Sequence, residues 1–360
     1  MSEATISDIY VCQVNSQQAT YVLDKIINSV NLGKRKIFIK PNVRSCHSPE
    51  SAKTTNPKTL SIVLEYLKSH FDNEIIVADG SIIGVDTKKA ATAAGILRVC
   101  EEYEVPFIDL RECGYRRIEI PIEPYFIEIS NLVFDGMYLI NMPKLKSTYG
   151  FPLSLSAKNL KGVISDRSKL DFHTYGIQER VKLLTSLVQA DVSIIDGLYS
   201  LSLDTALDTD ILIASNNSLA LDSFVAKKMG YTVSDMHYLL SDIDNCNIHY
   251  YNEKAKNDIE SIELHSINKE EVLEKFGVSI IGNPCSACTG CIYKAVAKKN
   301  GNTHRNIVAG VYNESLNGDY YVVGNCAIKQ LSKEKCMGKF KTIRGCPPPI
   351  SEIIRVLNED

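Results

Sequence analysis

Short apolar runs alternate with longer amphipathic ones along most of the chain, and polar residues mark each switch. Residues 7–14 (SDIYVCQV) alternate as an opening strand, and residues 20–30 carry apolar positions at helical spacing. Short apolar blocks at 36–39, 74–78, 105–110, 137–140, 192–195 and 211–214 predict buried strands. Helices are expected after Pro57 (TLSIVLEYLKSHF), from about Asp86, over 97–103, over 178–187 and over SLALDSFVAKKMG, with a smaller helical segment from Val233. IEIPIEPYFIEI reads as a hairpin or meander. Two stretches predict little regular structure: LKSTYGFPLSLSAKNLKGVISD, rich in turn formers and lysine, and the polar region 242–268.

Alternation of strand and helix predicts an α/β protein. The expected division is a large domain with a mainly parallel sheet over residues 1–270 and a smaller α/β domain over 271–360. In the first, five strand-like runs end in Lys40 and Asn42, Asp79, Asn141 and Lys144, Asp196, and Asn216. If these strands are parallel, the polar ends crowd one sheet edge, where α/β proteins bind ligands. The same residue types also cap strands and turns in general.

Lysines sharpen the expectation. Lys144 and Lys146 follow one strand, and Lys158, Asn159 and Lys161 lie in AKNLKG. Lysines among turn glycines and free N–H groups suit phosphate or carboxylate. The candidate substrate-binding set is therefore Lys40, Asn42, Asp79, Asn141, Lys144, Lys158, Asn159, Lys161 and Asp196. His47, beside Cys46 in a long polar loop, and His173 are candidate acid–base groups near pH 7, with Lys144 as a third catalytic candidate. Neither a Walker P-loop nor a G-x-G-x-x-G after a strand is present, so nucleotide sites of those kinds have no support.

The last quarter carries different chemistry. Cys285, Cys288, Cys291, Cys326, Cys336 and Cys346 lie within 278–357, six of the chain's eleven cysteines. VSII leads through Gly-Asn-Pro to Cys285, DYYVV through Gly324 to Cys326, and KTIR through Gly345 to Cys346. Each is a strand, a glycine turn and a cysteine, with a helix after at least the first and third. Parallel strands bring such loops together at one edge. Thiols at helix N-termini favour the thiolate, the form that binds metal. Four thiolates suit zinc and iron–sulfur clusters alike. Whether Cys285 or Cys288 ligates is open, as are the roles of Cys285 and Cys336.

Composition sets the outer limits. With 44% apolar and 23% charged residues, the chain has material for a sizeable core, and a net charge of −3 gives no nucleic-acid signature. No apolar run approaches the roughly 20 residues that span a bilayer, so no membrane association is expected. MSEATISDIY has neither a basic nor an apolar leader region, which predicts a cytoplasmic protein with reduced thiols, suited to an anaerobic cell.

Cys288-Thr-Gly-Cys291, Gly324-Asn325-Cys326 and Gly345-Cys346-Pro347-Pro348 resemble the proximal 4Fe-4S site of nickel-iron hydrogenase small subunits. This resemblance implies a 4Fe-4S cluster on Cys288, Cys291, Cys326 and Cys346. More widely, KPN (40–42), TNP (55–57), ADG (78–80), NMPKLKS (141–147) and SLSAKNLKG (154–162) resemble domain-of-unknown-function family 362. Ser147 and Thr148 stand where many members have a histidine, so that residue's role does not transfer. The resemblance implies iron–sulfur association and an N-terminal domain similar to that of lactate racemases. The expected function is an iron–sulfur oxidoreductase that passes electrons to a small anionic substrate in an interdomain cleft, supplied by a redox partner such as a ferredoxin. Alternatives are a lyase or isomerase using the cluster as a Lewis acid, a ferredoxin-like carrier, and a zinc-stabilised binding protein.

Overall fold

Blocks of β-branched and aromatic residues form the buried strands, and amphipathic segments capped by asparagine cover them. Asn15 and Asn56, for example, each accept a hydrogen bond from a first-turn N–H of the helix that follows. The computed structural model describes residues 7–120, 125–174, 176–240, 246–301, 304–333 and 338–359. The chain divides into two units. One comprises 1–147, 153–172 and 178–264, and the other 148–152, 173–177 and 265–360.

The course of the chain begins β1 (Asp8–Gln13), α1 (Ser16–Asn28), β2 (Ile37–Lys40), α2 (Pro57–His70), β3 (Ile75–Asp79), α3 (Thr87–Ala93), α4 (Ile96–Glu102) and β4 (Phe107–Asp109). A hairpin of β5 (Tyr115–Ile120) and β6 (Tyr125–Ser130) precedes β7 (Tyr138–Asn141). Then come β8 (Lys144–Thr148), β9 (Phe151–Leu153), α5 (Ser156–Asn159), α6 (Asp166–Thr174) and α7 (Ile177–Leu187). The stretch ends with β10 (Val192–Ser202), β11 (Thr205–Ser215), α8 (Ser218–Lys228), β12 (Asn247–Tyr250) and α9 (Glu253–Ser261).

The main sheet runs β12-β1-β11-β10-β7-β2-β3-β4. Strands β10, β7, β2, β3 and β4 are mutually parallel, whereas β11 is antiparallel to both its neighbours. From β2 the chain steps outward to β3 and β4, then returns to place β7 on the other side of β2. That reversal is a topological switch point, where the carboxyl ends of neighbouring strands leave a crevice. Leu23, Ile26, Ile39, Leu60, Leu67, Val77 and Ile140 belong to the apolar core that this sheet shares with its helices.

In the second unit, α10 (Lys269–Phe276) leads into β13 (Val278–Ile281), α11 (Ser286–Val296), β14 (Arg305–Ala309), β15 (Tyr320–Val323), α12 (Asn325–Leu331), β16 (Phe340–Ile343) and α13 (Ile350–Leu357). Its four strands pair in chain order and all run parallel. Val308, Tyr312, Leu316, Val322 and Ala327 form one buried cluster there.

The expected α/β class holds, and five local expectations change. The segment after β7 is structured, as β8, β9 and α5: β8 buries four residues in a row, two of them lysines, and β9 buries Phe151 and Leu153 on one face. Region 242–268 contains β12 and α9; β12 is an edge strand whose side chains alternate between exposed and half-buried, hence its polar sequence. The segment from Val233 forms turns and no helix. Since β11 is antiparallel to β10, Asn216 ends its strand at the opposite edge from Asp79 and Asn141 and leaves the expected set. In the second unit β14 joins the three expected strands, and a helix also follows Cys326.

Candidate functional site

Two buried ion pairs underlie the switch point. Lys40 ends β2 opposite Asn141, which ends β7. Lys40 is fully buried, and its ammonium lies 2.7 Å from Asp79 Oδ1 at the end of β3. Asp79 also accepts the N–H groups of Val43 (2.6 Å) and Gly80 (2.8 Å). The backbone of Gly162 lies directly on this pair: a Cβ there would stand 2.1 Å from Asp79 Oδ1 and 2.6 Å from Lys40 Nζ. Nearby, Lys144 Nζ donates to Asp196 Oδ2 at 2.7 Å, with both side chains fully buried. Asp196 further accepts Asn56 N–H (2.7 Å) and Thr59 Oγ1–H (2.8 Å). The TNP turn and the Asp after β10's first residues are thus one hydrogen-bonded unit.

A row of asparagines crosses the same region. Lys146 Nζ donates to Asn42 Oδ1 at 2.5 Å and to the Lys53 carbonyl at 3.1 Å. Asn42 Nδ2 donates to Asn159 Oδ1 (2.8 Å), Asn159 Nδ2 to Asn141 Oδ1 (2.7 Å), and Asn141 Nδ2 to the Ser156 carbonyl (3.0 Å). The KPN, NMPK and AKN motifs, over a hundred residues apart at the extremes, meet in these contacts.

Positive charge exceeds negative charge here. Lys40, Lys144, Lys146, Lys158, Lys161, Lys169 and Arg44 are within electrostatic reach of one another along the cluster, against Asp79, Asp196 and Asp166. Burial lowers the pKa of Lys40 and Lys144, and their aspartates oppose that shift. Lys146 falls well below the ordinary lysine range through burial, then through Arg44 and Lys144. Lys158 does so through burial, Lys161, Arg44 and Lys146. Lys161 is lowered to about 7 by burial, Lys169 and Arg44. Lys158 and Lys161 keep part of their surface accessible although protein surrounds their ammonium ends; Lys146 and Lys169 are almost wholly buried.

Sequence reasoning missed Arg44, Lys169, Gly162 and Asp222. Lys169 donates to the Ser81 carbonyl (2.8 Å), the Gly80 carbonyl (3.3 Å) and Asp166 (3.2 Å). Asp222 stands in the apolar helix α8, and a lone carboxylate there was a usable signal. It accepts the N–H groups of Ser156 (2.8 Å) and Ala157 (2.9 Å) at the start of α5, and burial pushes its carboxyl up to about 7. His47 is half-buried on the loop after β2.

In the second unit, Cys285 is the N-cap of α11, Cys288 and Cys291 lie on its first two turns, Cys326 opens α12, and Cys346 precedes α13. Cys288 feels the charge of Cys285, Cys346 and Cys291, and Cys346 feels that of Cys285 and Cys326. Gly324, at φ +91°, leaves room beside Cys288: a Cβ there would lie 3.4 Å from its Sγ. A hydrogen bond from Cys288 draws the Cys285 thiol down to about 6. Cys288 is buried, Cys285 and Cys291 are half-buried, and Cys326 and Cys346 are exposed. The donor chemistry, thiols at helix starts along one parallel edge, fits an iron–sulfur cluster or zinc. As the side chains stand, no three His, Cys, Asp or Glu residues among the described residues form a group that could hold a metal ion. His173 belongs to this unit, with Nδ1 2.8 Å from Ser286 Oγ. Cys336 lies outside the described residues.

The model of a family described as "Domain of unknown function (DUF362)" matches residues 37–227, slightly more than half of the chain. The matched range includes both ion pairs and the asparagine row. A thylakoid-associated protein of Synechocystis sp. is 24% identical over 206 residues, covering 54% of this chain and 63% of that protein, less than two thirds of its length. Two solved structures are similar in course. A protein from Thermotoga maritima has a TM-score of 0.43 at 11% identity, over 83% of this chain and 73% of its own. The lactate racemase apoprotein of Thermoanaerobacterium thermosaccharolyticum has a TM-score of 0.43 at 9% identity, over 96% and 85%. Neither likeness bears on activity. No helix among the described residues is long and apolar enough to cross a membrane.

Proposed function

The chain belongs to the DUF362 family, and on that premise we propose that it is a metal-associated enzyme whose first unit binds a small anionic substrate at the lysine cluster. The observation that carries this reading is the excess of cations at the switch point of the main sheet. Asp79 and Asp196 are already committed to Lys40 and Lys144. Lys146, Lys158, Lys161 and Arg44 crowd one another, which raises the free energy of the charged forms. A phosphate or carboxylate relieves that repulsion. Each charged hydrogen bond to it contributes on the order of 1.5–3 kcal/mol, so loss of one lysine weakens binding roughly ten- to a hundredfold.

The redox half of the proposal rests on the thiols of the second unit. Cys288, Cys291, Cys326 and Cys346 would hold a 4Fe-4S cluster, with Cys285 beside them. The cluster would supply single-electron transfer, drawn from a donor such as a ferredoxin in the cytoplasm. Helix N-termini favour the thiolates that such a cluster requires.

Thermal melts in inorganic phosphate test the anion site, and pH gives the sign. Lys161 goes from an ordinary value of 10.5 to about 7 on folding. Between those values the unfolded chain binds more protons, so stability rises with pH; below about 7 the full cost of charging Lys161 is present. Lys146 and Lys158 act in the same direction. We expect the ligand-free melting temperature to rise by several degrees from pH 7 to pH 9.5. Phosphate should stabilise more at pH 7 than at pH 9.5, and Lys161→Ala should lose most of that gain. The absence of any phosphate shift at pH 7 removes the anion site.

A further inference from the structure

A hollow opens at the β12 end of the main sheet, separated from the switch point by β11 and β10. Its volume is about 530 Å³, and Tyr10, Tyr21, His249, Tyr250 and Tyr251 are five of its seven lining residues. Tyr10 of β1 stands opposite His249 of β12, and their rings stack 4.6 Å apart at 16°. Tyr251, just past β12, and Tyr21 of α1 meet at 5.5 Å and 76°. A cross-strand pair on an edge strand is an ordinary source of sheet stability, and it accounts for Tyr10 and His249. It does not account for Tyr21, which comes from a helix and is 47% exposed, nor for a cavity whose walls are mostly aromatic. The Asp8 carboxylate lies beside these rings, 2.8 Å from His249 Nε2. It also accepts Asn247 Nδ2–H at 3.2 Å, and no lysine or arginine among the described residues pairs with it. The nearby lysines have carboxylates of their own. Lys25, with its ammonium 5.6 Å from the centre of the Tyr21 ring, has Asp24 at 3.8 Å; Lys228, beside Tyr250, has Glu260 at 2.9 Å.

We propose that this hollow binds a small soluble organic cation by its quaternary ammonium head, with the rings of Tyr10, Tyr21 and Tyr251 as walls and Asp8 as the counter-charge. The reading is independent of the anion site. An aromatic face carries the negative part of the ring's quadrupole and attracts a cation without needing a hydrogen bond. A quaternary ammonium has no N–H to donate, so rings serve it better than carbonyls do. Steeply angled rings, as Tyr21 and Tyr251 are, enclose a rounded head on two sides. A flat sugar or base is better served by parallel faces. The carboxylate of Asp8 sets the sign of the charge that the hollow favours. An anion would meet only lysines that already have partners.

The test is a saturation-transfer NMR titration of the full-length protein with choline, beside its uncharged isostere 3,3-dimethylbutan-1-ol, in which carbon replaces the nitrogen. Choline should bind with a Kd on the order of 1 mM or tighter, and the alcohol about tenfold more weakly or worse. Tyr251→Leu should weaken choline binding about tenfold, whereas Tyr251→Phe keeps the ring and should keep most of the affinity. Asp8→Asn should weaken choline severalfold and leave the alcohol unchanged. Equal affinity for choline and the alcohol would reduce the hollow to an apolar pocket and overturn the proposal. So would the absence of choline binding at about ten times that concentration, or preferential binding of an uncharged sugar such as maltose. Co-sedimentation with phosphatidylcholine vesicles without binding of free choline would transfer the head group to a lipid and overturn the assignment to a soluble molecule. The comparison of choline with its isostere on the wild-type chain decides the matter even if Tyr251→Leu fails to fold.

Discussion

Asp196→Ala costs the first unit about 3–5 kcal/mol, as expected for removing one partner of a buried ion pair. The loss exceeds that of a contact because Lys144, at 0% exposure, would be left without a counterion and must either carry an unpaired buried charge or give up its proton. Asn56 N–H and Thr59 Oγ1–H would lose their acceptor as well. Glu112→Ala is the matched control. Its pair with Lys88 leaves both side chains more than half exposed, and such pairs contribute about 0–1 kcal/mol. Urea unfolding gives the comparison. Adding Lys144→Met to Asp196→Ala should recover part of the loss, because the unpaired buried amine is gone. Equal midpoints for the Asp196 and Glu112 variants would mean that the pair does not organise the switch point.

Cys346→Ser abolishes iron binding if the second unit holds a cluster. Protein prepared without oxygen should carry about four irons and four sulfides per chain, falling to near zero in this variant. Cys12→Ser and Cys246→Ser should keep the iron. Cys12 is sealed in the first unit's core, where burial raises its pKa to about 12, so it remains an inert thiol. Iron and acid-labile sulfide analysis is the measurement. Stoichiometric zinc without sulfide would end the iron–sulfur proposal, and equal loss in all three variants would undo the residue assignment.

Much of the first unit was legible because β2, β3 and β7 are short apolar runs that stop at polar residues, and the switch point draws those stops together. Strand direction was not legible. The block at 211–214 looks like the others, and only its pairing with β10 reveals the antiparallel sense. β12 and β14 escaped because an edge strand needs few apolar residues and because β14 opens with Arg305 and Asn306. Lys144, Lys158 and Lys161 were readable as a group from the motifs, but their burial was not, since lysine is seldom buried. Arg44 and Lys169 left no trace because nothing local says which charges they will face. In the second unit, the recurrence of strand, glycine and cysteine marked three of the four parallel strands, and with them the ends from which Cys285, Cys326 and Cys346 follow.

The three asparagines between Lys146 and Ser156 admit only one orientation. The ammonium can only donate and the carbonyl can only accept, so both ends fix every amide in between. Turning any one of them would set oxygen against oxygen or hydrogen against hydrogen. Their dipoles therefore align, and each presents its negative end toward Lys146. The row acts as an electrical bias made of neutral groups. The amides do not titrate, but the donor that sets their direction is Lys146, whose proton burial and its cationic neighbours make easier to lose.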